Sequence, residues 1–464
     1  MNGKDLIDMG YETGPHFQEM LKLANVLADN GQPFGKIRAA LDEIYEEAIF
    51  EMPTIPLKTN GLDYDVFLDE GQDEFELGNI EATKATMHEL MKTPTIIKGM
   101  LMPDACPAGP LGTIPVGGVA VARNAIHPGM HSADICCSMY LTSFDKEVPV
   151  GKIMDAVQSE SHFGYGGRTD MPLSENHPIA VAASNNSFLN SKQIATAMSE
   201  HLGTQGDGNH FFNVGRRDNG NLTLVTHHGS RKPGALLYKA GMKVAEEFRK
   251  KLSPDTLPQN AWLPFDTDEG KEYWDALQII RDWTKLNHQL IHDQVLKAIG
   301  LSSDNITDRF WNEHNFVFKR GEDFWHAKGS TPVYGHHAPD ADFEGRTIIP
   351  LNMGEPILIV KNHSTNEHGF APHGAGRNYS RTKYKKLHDK TVEQAMSDQV
   401  SHIDARFYSG DADITELPNA YKNADAVIEQ IKKYKLAEIV EKIEPLGSMM
   451  AGEQYQPWLK KKIQ

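Results

Sequence analysis

The segment HSADICCSMY places Asp134 just before two adjacent cysteines, Cys136 and Cys137. An Asp carboxylate and a Cys thiolate can bind a divalent cation, because the carboxylate supplies a hard oxygen and the sulfur favours a transition metal over Mg²⁺. Side chains alternate along a strand, so an extended backbone would put Asp134 and Cys136 on one face. A turn would instead bring Asp134 and Cys137 together. The remaining alternative is that both cysteines are small buried residues without chemistry.

Histidines are concentrated in the middle of the chain, where 13 of the 21 lie between His201 and His373. His210 follows the glycine-rich turn GDGN, His227 opens the motif HHGSR at the end of an apolar strand, and His314 stands in EHN. Histidines beside Gly, Asn and Ser are typical of loops that carry a metal or phosphate site. For the segment around His210, the alternative is a simple hairpin with an exposed histidine.

The segment APHGAGR places His373 directly before two glycines that flank Ala375, and Arg377 follows them. Backbone N–H groups of such a loop can form a nest that binds an anion. Imidazole nitrogen attacks phosphorus when the phosphoryl charge is neutralised, so His373 is a candidate nucleophile for phosphoryl transfer. The chain lacks the motif GxxxxGK[ST] and the kinase motifs, which disfavours the commoner modes of nucleotide binding.

Composition limits the classes of protein that this sequence can represent. The formal net charge is −16, so nucleic-acid binding would require a locally basic cleft on an acidic body. Three cysteines in 464 residues cannot form a disulfide framework, and the N-terminus lacks the apolar core of a signal peptide. The longest apolar runs, such as PILIV, are too short to span a membrane. We therefore expect a cytoplasmic protein.

The elements that must position these residues are of mixed type. Apolar residues three and four apart predict helices over 14–31 and 33–50, whereas short apolar runs broken by Gly and Pro predict strands over 95–144, 203–240 and 314–381. Their irregular order predicts an α+β fold. We expect a helical N-terminal lead-in over residues 1–90, followed by one compact catalytic domain over 91–464.

Two further helices are predicted from apolar periodicity. In the first, EYWDALQIIRDWTKLNHQLIHDQVLKAI, His288 and His292 lie four residues apart, but Gln289 stands where a zinc-protease motif requires Glu. We therefore interpret this pair as part of a helix surface. In the second, NADAVIEQIKKYKLAEIVEKI, Val427 and Ile439 belong to the predicted core stripe of a C-terminal helix.

The order of the motifs is more specific than any one of them. MPDACPAGPLGTIPVGG, DICC, GDGNHF, HHGSR, EHN, HAKGST, IPLNMGEP, HGAGR and AYK follow one another as in the RtcB family of RNA-splicing ligases. The sequence resembles a divergent member of that family from about residue 95 to residue 450. The resemblance implies mixed sheets flanked by helices around a deep cleft that holds two Mn²⁺ ions.

The resemblance also implies a role for individual residues of this chain. His373 would be the catalytic nucleophile that takes GMP from GTP, and the Cys137 thiolate would be shared between the two ions. The metal ligands would be Asp134, Cys137, His210, His227 and His314. The nucleotide would be bound by Asn209, Phe211, Asn352, Met353, His373, Ala375, Gly376 and Tyr421. Arg231 and Arg377 would bind the phosphates of RNA or nucleotide.

The implied reaction joins an RNA 3′-phosphate, or a 2′,3′-cyclic phosphate opened by hydrolysis, to an RNA 5′-hydroxyl in RNA splicing or repair. The chain departs from the family pattern mainly around the base, with Asn213 after NHF, Asn352 and Ile357 in place of serines, and Met450 or Ala451 near the position of a lysine. Two alternatives therefore stand beside the ligase: a metal-dependent RNA-end phosphoesterase and a non-catalytic protein that binds RNA ends.

Overall fold

A computed structural model describes residues 1–11, 16–49, 54–71, 74–333 and 345–453. The chain forms two compact units. The first comprises Met1–Pro56 and Lys250–Asp255, and the second comprises Leu57–Arg249 and the described residues from Thr256 onward. Helices and sheets alternate irregularly, so the predicted α+β class is confirmed. The predicted boundary at residue 90 stays a prediction. Among the described residues, no helix has the length and apolar character that a membrane crossing requires.

The described residues form 13 α-helices and 19 strands. The helices are α1 (Gly3–Asp8), α2 (Phe17–Asp29), α3 (Phe34–Ile49), α4 (Glu74–Leu90), α5 (Pro128–His131), α6 (Val150–Glu160), α7 (Pro178–Asn185), α8 (Lys192–Glu200), α9 (Arg231–Leu252), α10 (Asp268–Ala298), α11 (Arg381–Leu387), α12 (Val392–Val400) and α13 (Ala424–Lys433). The strands are β1 (Asp65–Val66), β2 (Ile96–Cys106), β3 (Val116–Arg123), β4 (Ala125–Ile126), β5 (Ser138–Phe144), β6 (His162–Phe163), β7 (Thr204–Gly206), β8 (Phe211–Arg216), β9 (Leu222–His228), β10 (Leu263–Pro264), β11 (Ile306–Glu313), β12 (Asn315–Arg320), β13 (Asp323–Lys328), β14 (Ser330–Pro332), β15 (Arg346–Ile349), β16 (Ile357–Asn362), β17 (Phe370–Pro372), β18 (Asp404–Phe407) and β19 (Ala437–Met450).

The first unit is a small helical assembly. Helices α2 and α3 confirm the two helices that apolar periodicity predicts near the N-terminus. Their inward faces meet α1 in a cluster of buried apolar side chains that includes Leu6, Met20, Ala24, Ile37 and Leu41. The described part of this unit contains no candidate site residue.

Two large sheets dominate the second unit. One has five strands in the order β1-β2-β3-β13-β12. The other has eight strands in the order β11-β5-β9-β8-β19-β16-β15, and β18 pairs with β19 beside this path. In the run β11-β5-β9-β8, each strand is antiparallel to its neighbour. Because their directions alternate, starts and ends of successive strands meet at the same edge of the sheet.

His288 and His292 lie on the buried face of helix α10, which corrects the prediction that they belong to a helix surface. Both side chains are fully inaccessible to solvent. His288 hydrogen-bonds to Ser138 Oγ on β5 at 3.0 Å and to Thr226 Oγ1 on β9 at 2.6 Å, and His292 also contacts Thr226 Oγ1 at 2.9 Å. Burial, followed by neighbouring histidines or Arg309, holds the pKa of both imidazoles well below the usual range. The pair therefore joins α10 to the two strands.

The C-terminal helix is shorter than predicted. Helix α13 ends at Lys433, and residues Ala437–Met450 form strand β19, so the prediction that Ile439 belongs to a helical core stripe is wrong. Lys435 has a φ of 54°, a left-handed conformation that interrupts helical geometry. The following sequence can also alternate as a strand, and pairing with β8 and β16 determines its conformation.

A buried ion pair joins α10 to the end of β11. The Arg281 guanidinium contacts the carboxylate of Glu313, which is fully buried and directly precedes His314. The Arg281 guanidinium also lies 4.8 Å from the ring centroid of Trp311. Removing one partner would leave the other charge buried without compensation.

We expect Arg281→Met to lower the free energy of unfolding by about 3–5 kcal/mol, because the Glu313 carboxylate would lose its buried cation. The double variant Arg281→Met/Glu313→Leu should lose less free energy of unfolding, since it removes both charges. Urea denaturation of the two variants measures the difference. A double variant less stable than the single variant would contradict this role of the ion pair.

Candidate metal centre and adjoining cleft

The register of the eight-stranded sheet assembles the predicted metal ligands at one edge. Cys137 directly precedes β5, and its neighbour Ser138 pairs with His228 at the end of β9. His210 directly precedes β8, whose first residue pairs with His227. His314 directly follows β11, whose last residue pairs with Ser138. Four segments that are distant in the sequence therefore present their side chains together.

A turn determines which cysteine faces this edge. Cys136 has a φ of 57°, and the N–H of Cys137 donates to the carbonyl of Asp134 at 3.3 Å. This conformation breaks strand alternation and brings Asp134 and Cys137 to the same side, as the resemblance requires. Cys136 is fully buried in the main apolar core. Its predicted role as a small buried residue is thus supported by its position.

The five candidate ligands form two overlapping groups. Cys137 Sγ lies 3.1 Å from His227 Nε2, and the His227 and His314 Nε2 atoms are 3.0 Å apart. On the other side, Cys137 Sγ lies 3.7 Å from His210 Nε2, which is 3.2 Å from Asp134 Oδ2. Within each group all candidate ligand atoms lie within 4.8 Å of one another, and Cys137 belongs to both.

Backbone carbonyls orient two of the imidazoles. His210 Nδ1 lies 2.7 Å from the carbonyl oxygen of Gln205, and His227 Nδ1 lies 2.9 Å from that of Asn209. Each Nδ1–H therefore donates to a carbonyl, which leaves the Nε2 lone pair available to a cation. Gly229 contributes to the same arrangement, because any Cβ at that position would collide with the Asp134 carboxylate.

Electrostatics favour a cation at this cluster. Burial raises the pKa of Asp134, but His210 outweighs this effect and the pKa falls to about 2. Burial, followed by other imidazoles, lowers the pKa of His227 to about 3. Burial and the Asp134 charge raise the pKa of the Cys137 thiol well above its ordinary value, and a bound cation would offset both effects. Three imidazoles, one carboxylate and one sulfur fit a divalent transition metal.

His373 lies beside these ligands and is held by a buried carboxylate. Its ring centroid is 4.8 Å from that of His314. Asp104 Oδ2 lies 2.6 Å from His373 Nδ1 and accepts the backbone N–H of His373 at 3.2 Å. The Asp104 side chain, on β2, is fully buried. This contact places the proton on Nδ1, so that Nε2 carries the lone pair. Asp104 was not predicted as a site residue, because in the sequence it is a lone carboxylate within an apolar strand.

A cleft of about 300 Å³ adjoins the cluster, and Gly376 allows the backbone to pass close to the Asp104 carbonyl there. It is lined by all the predicted nucleotide-binding residues, namely Asn209, Phe211, Asn352, Met353, His373, Ala375, Gly376 and Tyr421. Of the departures from the family pattern, Asn352 and Met450 line the cleft, and Asn213 and Ile357 lie within strands outside the lining. Asn352 and Met450 therefore bring one amide and one thioether to the cleft lining.

A second, more open cavity of about 590 Å³ adjoins Asp134 and His210. Arg231 lines it, and its guanidinium donates to the carbonyl of Gly164 at 2.9 Å and to Thr204 Oγ1 at 3.2 Å. Arg381 lines this cavity as well as the cleft. Two cationic side chains therefore border the open side of the metal ligands.

Arg377 is paired within the cleft to a carboxylate that the sequence analysis missed. Glu416 is almost fully buried and accepts hydrogen bonds from Arg381 Nε at 2.8 Å, Arg377 Nη1 at 3.3 Å and the hydroxyl of Tyr421. Arg377 Nη2 donates to the carbonyl of Thr415 at 2.7 Å. Glu416 therefore fixes the orientation of both arginines, and the motif TELPNAYK gave no signal for this role.

We expect Cys137→Ala to weaken Mn²⁺ binding by at least about tenfold, because the one ligand atom common to both groups is lost. Cys136→Ala is the matched control, since it makes the same change at the neighbouring buried cysteine. Elemental analysis after dialysis and calorimetric titration measure bound Mn²⁺. Loss of metal in Cys136→Ala with retention in Cys137→Ala would contradict the assignment.

Comparison with known proteins identifies the family of this chain. Residues 154–451 match the family model described as tRNA-splicing ligase RtcB. RNA-splicing ligase RtcB of Escherichia coli strain K12 is 30% identical over 377 residues, which cover 73% of this chain and 86% of that protein. tRNA-splicing ligase RtcB of Nanoarchaeum equitans is 24% identical over 433 residues, covering 76% and 88% of the two chains, and that of Archaeoglobus fulgidus is 26% identical over 324 residues, covering 61% and 66%. The chain belongs to the RtcB family of tRNA-splicing ligases.

Proposed function

We propose that this protein is a cytoplasmic RNA ligase that uses GTP and two Mn²⁺ ions. It would join an RNA 3′-phosphate or 2′,3′-cyclic phosphate end to a 5′-hydroxyl end, with GMP carried on His373. The observation that carries the proposal is the contact between His373 and the buried Asp104, next to a cluster of five candidate metal ligands. Family membership supports the choice of RNA as substrate.

The metal ligands divide into two sets. Cys137, His227 and His314 would hold one ion, and Asp134, Cys137 and His210 would hold the other. Bound Mn²⁺ would supply charge neutralisation at the triphosphate and at the RNA phosphate. The carbonyls of Gln205 and Asn209 keep the imidazoles of His210 and His227 in the orientation that binding requires.

His373 and Asp104 would act as nucleophile and positioning residue. With the proton held on Nδ1, His373 Nε2 can attack the α-phosphorus of GTP, forming an N–P bond as pyrophosphate leaves. The guanylate would then pass to the RNA 3′-phosphate, and attack by the 5′-hydroxyl would release GMP and seal the strand. The Asp104 carboxylate would stabilise the positive charge that develops on the ring.

The residues that line the cleft would position the nucleotide and RNA. Ala375 and Gly376 lie in the loop after His373, where backbone N–H groups can bind phosphate. Phe211, Met353 and Met450 provide apolar surface for the base, and Asn209, Asn352 and Tyr421 provide polar groups. Arg231 and Arg377 would hold RNA or nucleotide phosphates.

Two methionines in the cleft lining, Met353 and Met450, favour one second candidate, a metal-dependent phosphoesterase that acts on RNA ends without a nucleotide. Met353 and Met450 have no side-chain hydrogen-bond donor, so they cannot by themselves read the edge of guanine. Such an enzyme would keep the metal ligands but would not need His373 as a nucleophile. The two candidates therefore differ in the effect of changing His373.

Incubation with Mn²⁺ and each α-³²P-labelled NTP tests the ligase directly. Wild-type protein should form an acid-labile adduct with GTP, and His373→Ala should form none. His363→Ala, which changes a histidine outside the lining of the cleft, is the control and should retain the adduct. The phosphoesterase would be favoured if no NTP formed an adduct and if His373→Ala still hydrolysed the 2′,3′-cyclic phosphate end of RNA.

Asp104→Asn should slow adduct formation by about 100-fold or more, because an amide cannot stabilise the developing charge on His373. Asn is nearly isosteric with Asp, so bound Mn²⁺ and the melting temperature should change little. Single-turnover labelling with GTP measures the rate, and elemental analysis measures the metal. Labelling at the wild-type rate would show that Asp104 does not position the nucleophile.

A further inference from the structure

A strongly basic segment extends from the cleft over residues 377–390. It contains six Lys and Arg residues and a single acidic residue, Asp389, whereas the whole chain has 47 basic and 63 acidic residues. The segment comprises the end of the HGAGR motif, helix α11 and the turn that follows. The charge of this segment in the sequence is therefore opposite to that of the protein as a whole, and in the fold Arg377 and Arg381 share the buried carboxylate of Glu416.

The segment is continuous with the proposed catalytic site. Arg377 and Arg381 line the cleft, and the chain then runs outward through four lysines that are all exposed. These are Lys383, Lys385, Lys386 and Lys390. Lys385 pairs with Glu453 and Lys390 with Asp398, but exposed pairs contribute little and can be exchanged for other anions.

A small cavity opens on the same segment. It has a volume of about 200 Å³, and Tyr379, Tyr384, His388 and Lys390 line it. The rings of Tyr384 and His388 stack with centroids 5.6 Å apart, and Lys383 Nζ lies 5.8 Å from the Tyr379 centroid. His388 Nε2 is buried and has no hydrogen-bond partner among the described residues. Aromatic faces next to cations are the usual surface for an unpaired nucleobase.

We infer that residues 377–390 bind the RNA strand outside the cleft, with lysines on successive phosphates and one unpaired base in the cavity of Tyr379 and His388. The cavity is smaller than pockets for drug-sized ligands, so it suits one planar group. The strand must be single-stranded there, because a paired base cannot enter. This inference rests on the proposed RNA substrate and adds where that substrate lies.

Equilibrium RNA binding tests the inference in His373→Ala protein, in which ligation cannot proceed. The probes are fluorescent 3′-phosphate RNAs of about four and about twenty nucleotides, which bracket common single-strand site sizes. The test variant is Lys383→Ala/Lys386→Ala/Lys390→Ala. The matched control is Lys4→Ala/Lys22→Ala/Lys36→Ala, which removes the same charge from exposed lysines of the first unit.

For the longer RNA, the test variant should bind about tenfold or more weakly at ~0.1 M salt. The slope of log Kd against log salt should also fall by about 2, since each phosphate contact on a single strand contributes ~0.7. Binding of the short RNA should change less, because a shorter strand can make fewer contacts outside the cleft. The control variant should match the parent protein with both RNAs.

Tyr379→Ala should also weaken binding of the longer RNA about tenfold. The slope of log Kd against log salt should not change, because the tyrosine ring is uncharged. Equal binding by the test and control variants would overturn the inference, as would equal losses with the short and long RNAs. Labelling of the wild-type protein by GTP needs no RNA, so failure of the ligase proposal is measured separately.

Discussion

The antiparallel register of β11, β5, β9 and β8 is the constraint on which the site depends. Ser138 is paired on one side with His228 and on the other with Glu313, so residues 137, 227 and 314 converge beside one position of the sheet. A shift of one residue in any of these pairings would turn a ligand to the opposite face. Helix α10 reinforces the register, because His288 bonds to both β5 and β9.

Assembly of this edge has an energetic cost that a cation can offset. Three imidazoles, a thiol and a carboxylate are brought together in two overlapping groups whose candidate ligand atoms lie within 4.8 Å, and burial disfavours protonation of His227 and ionisation of Cys137. A cation that binds only the folded state would stabilise that state by mass action. The same cluster also lies beside His373, so the proposed metal site and the proposed nucleophile share one edge of the sheet.

Local sequence was sufficient for some features of this structure and insufficient for others. The order of motifs gave the family, and the requirement that Cys137 meet Asp134 gave the turn at Cys136. Helices α2, α3 and α10 followed from apolar spacing. Strand β19 could not be predicted in this way, because the segment KLAEIVEKI is compatible with either a helix or a strand. Its pairing with β8 and β16 determines which one forms.

Asp104 and Glu416 could not be predicted from the sequence for the same physical reason. Asp104 and Glu416 act through partners 269 and 35–39 residues away, so neither their burial nor their contacts have a local signal. His288 and His292 were predicted to lie on a surface because they are polar residues at helical spacing. In the fold they are buried, and both form hydrogen bonds with the hydroxyl of Thr226 on the sheet. Pairings across such distances depend on the tertiary fold.

Electron paramagnetic resonance of the Mn²⁺-loaded wild-type protein, combined with elemental analysis, tests the shared use of Cys137 most directly. Two ions per chain are expected, and their spectrum should show exchange coupling, because both ligand groups contain the same sulfur. One ion per chain, or two ions with the spectrum of isolated Mn²⁺, would contradict a paired metal centre at this edge of the sheet.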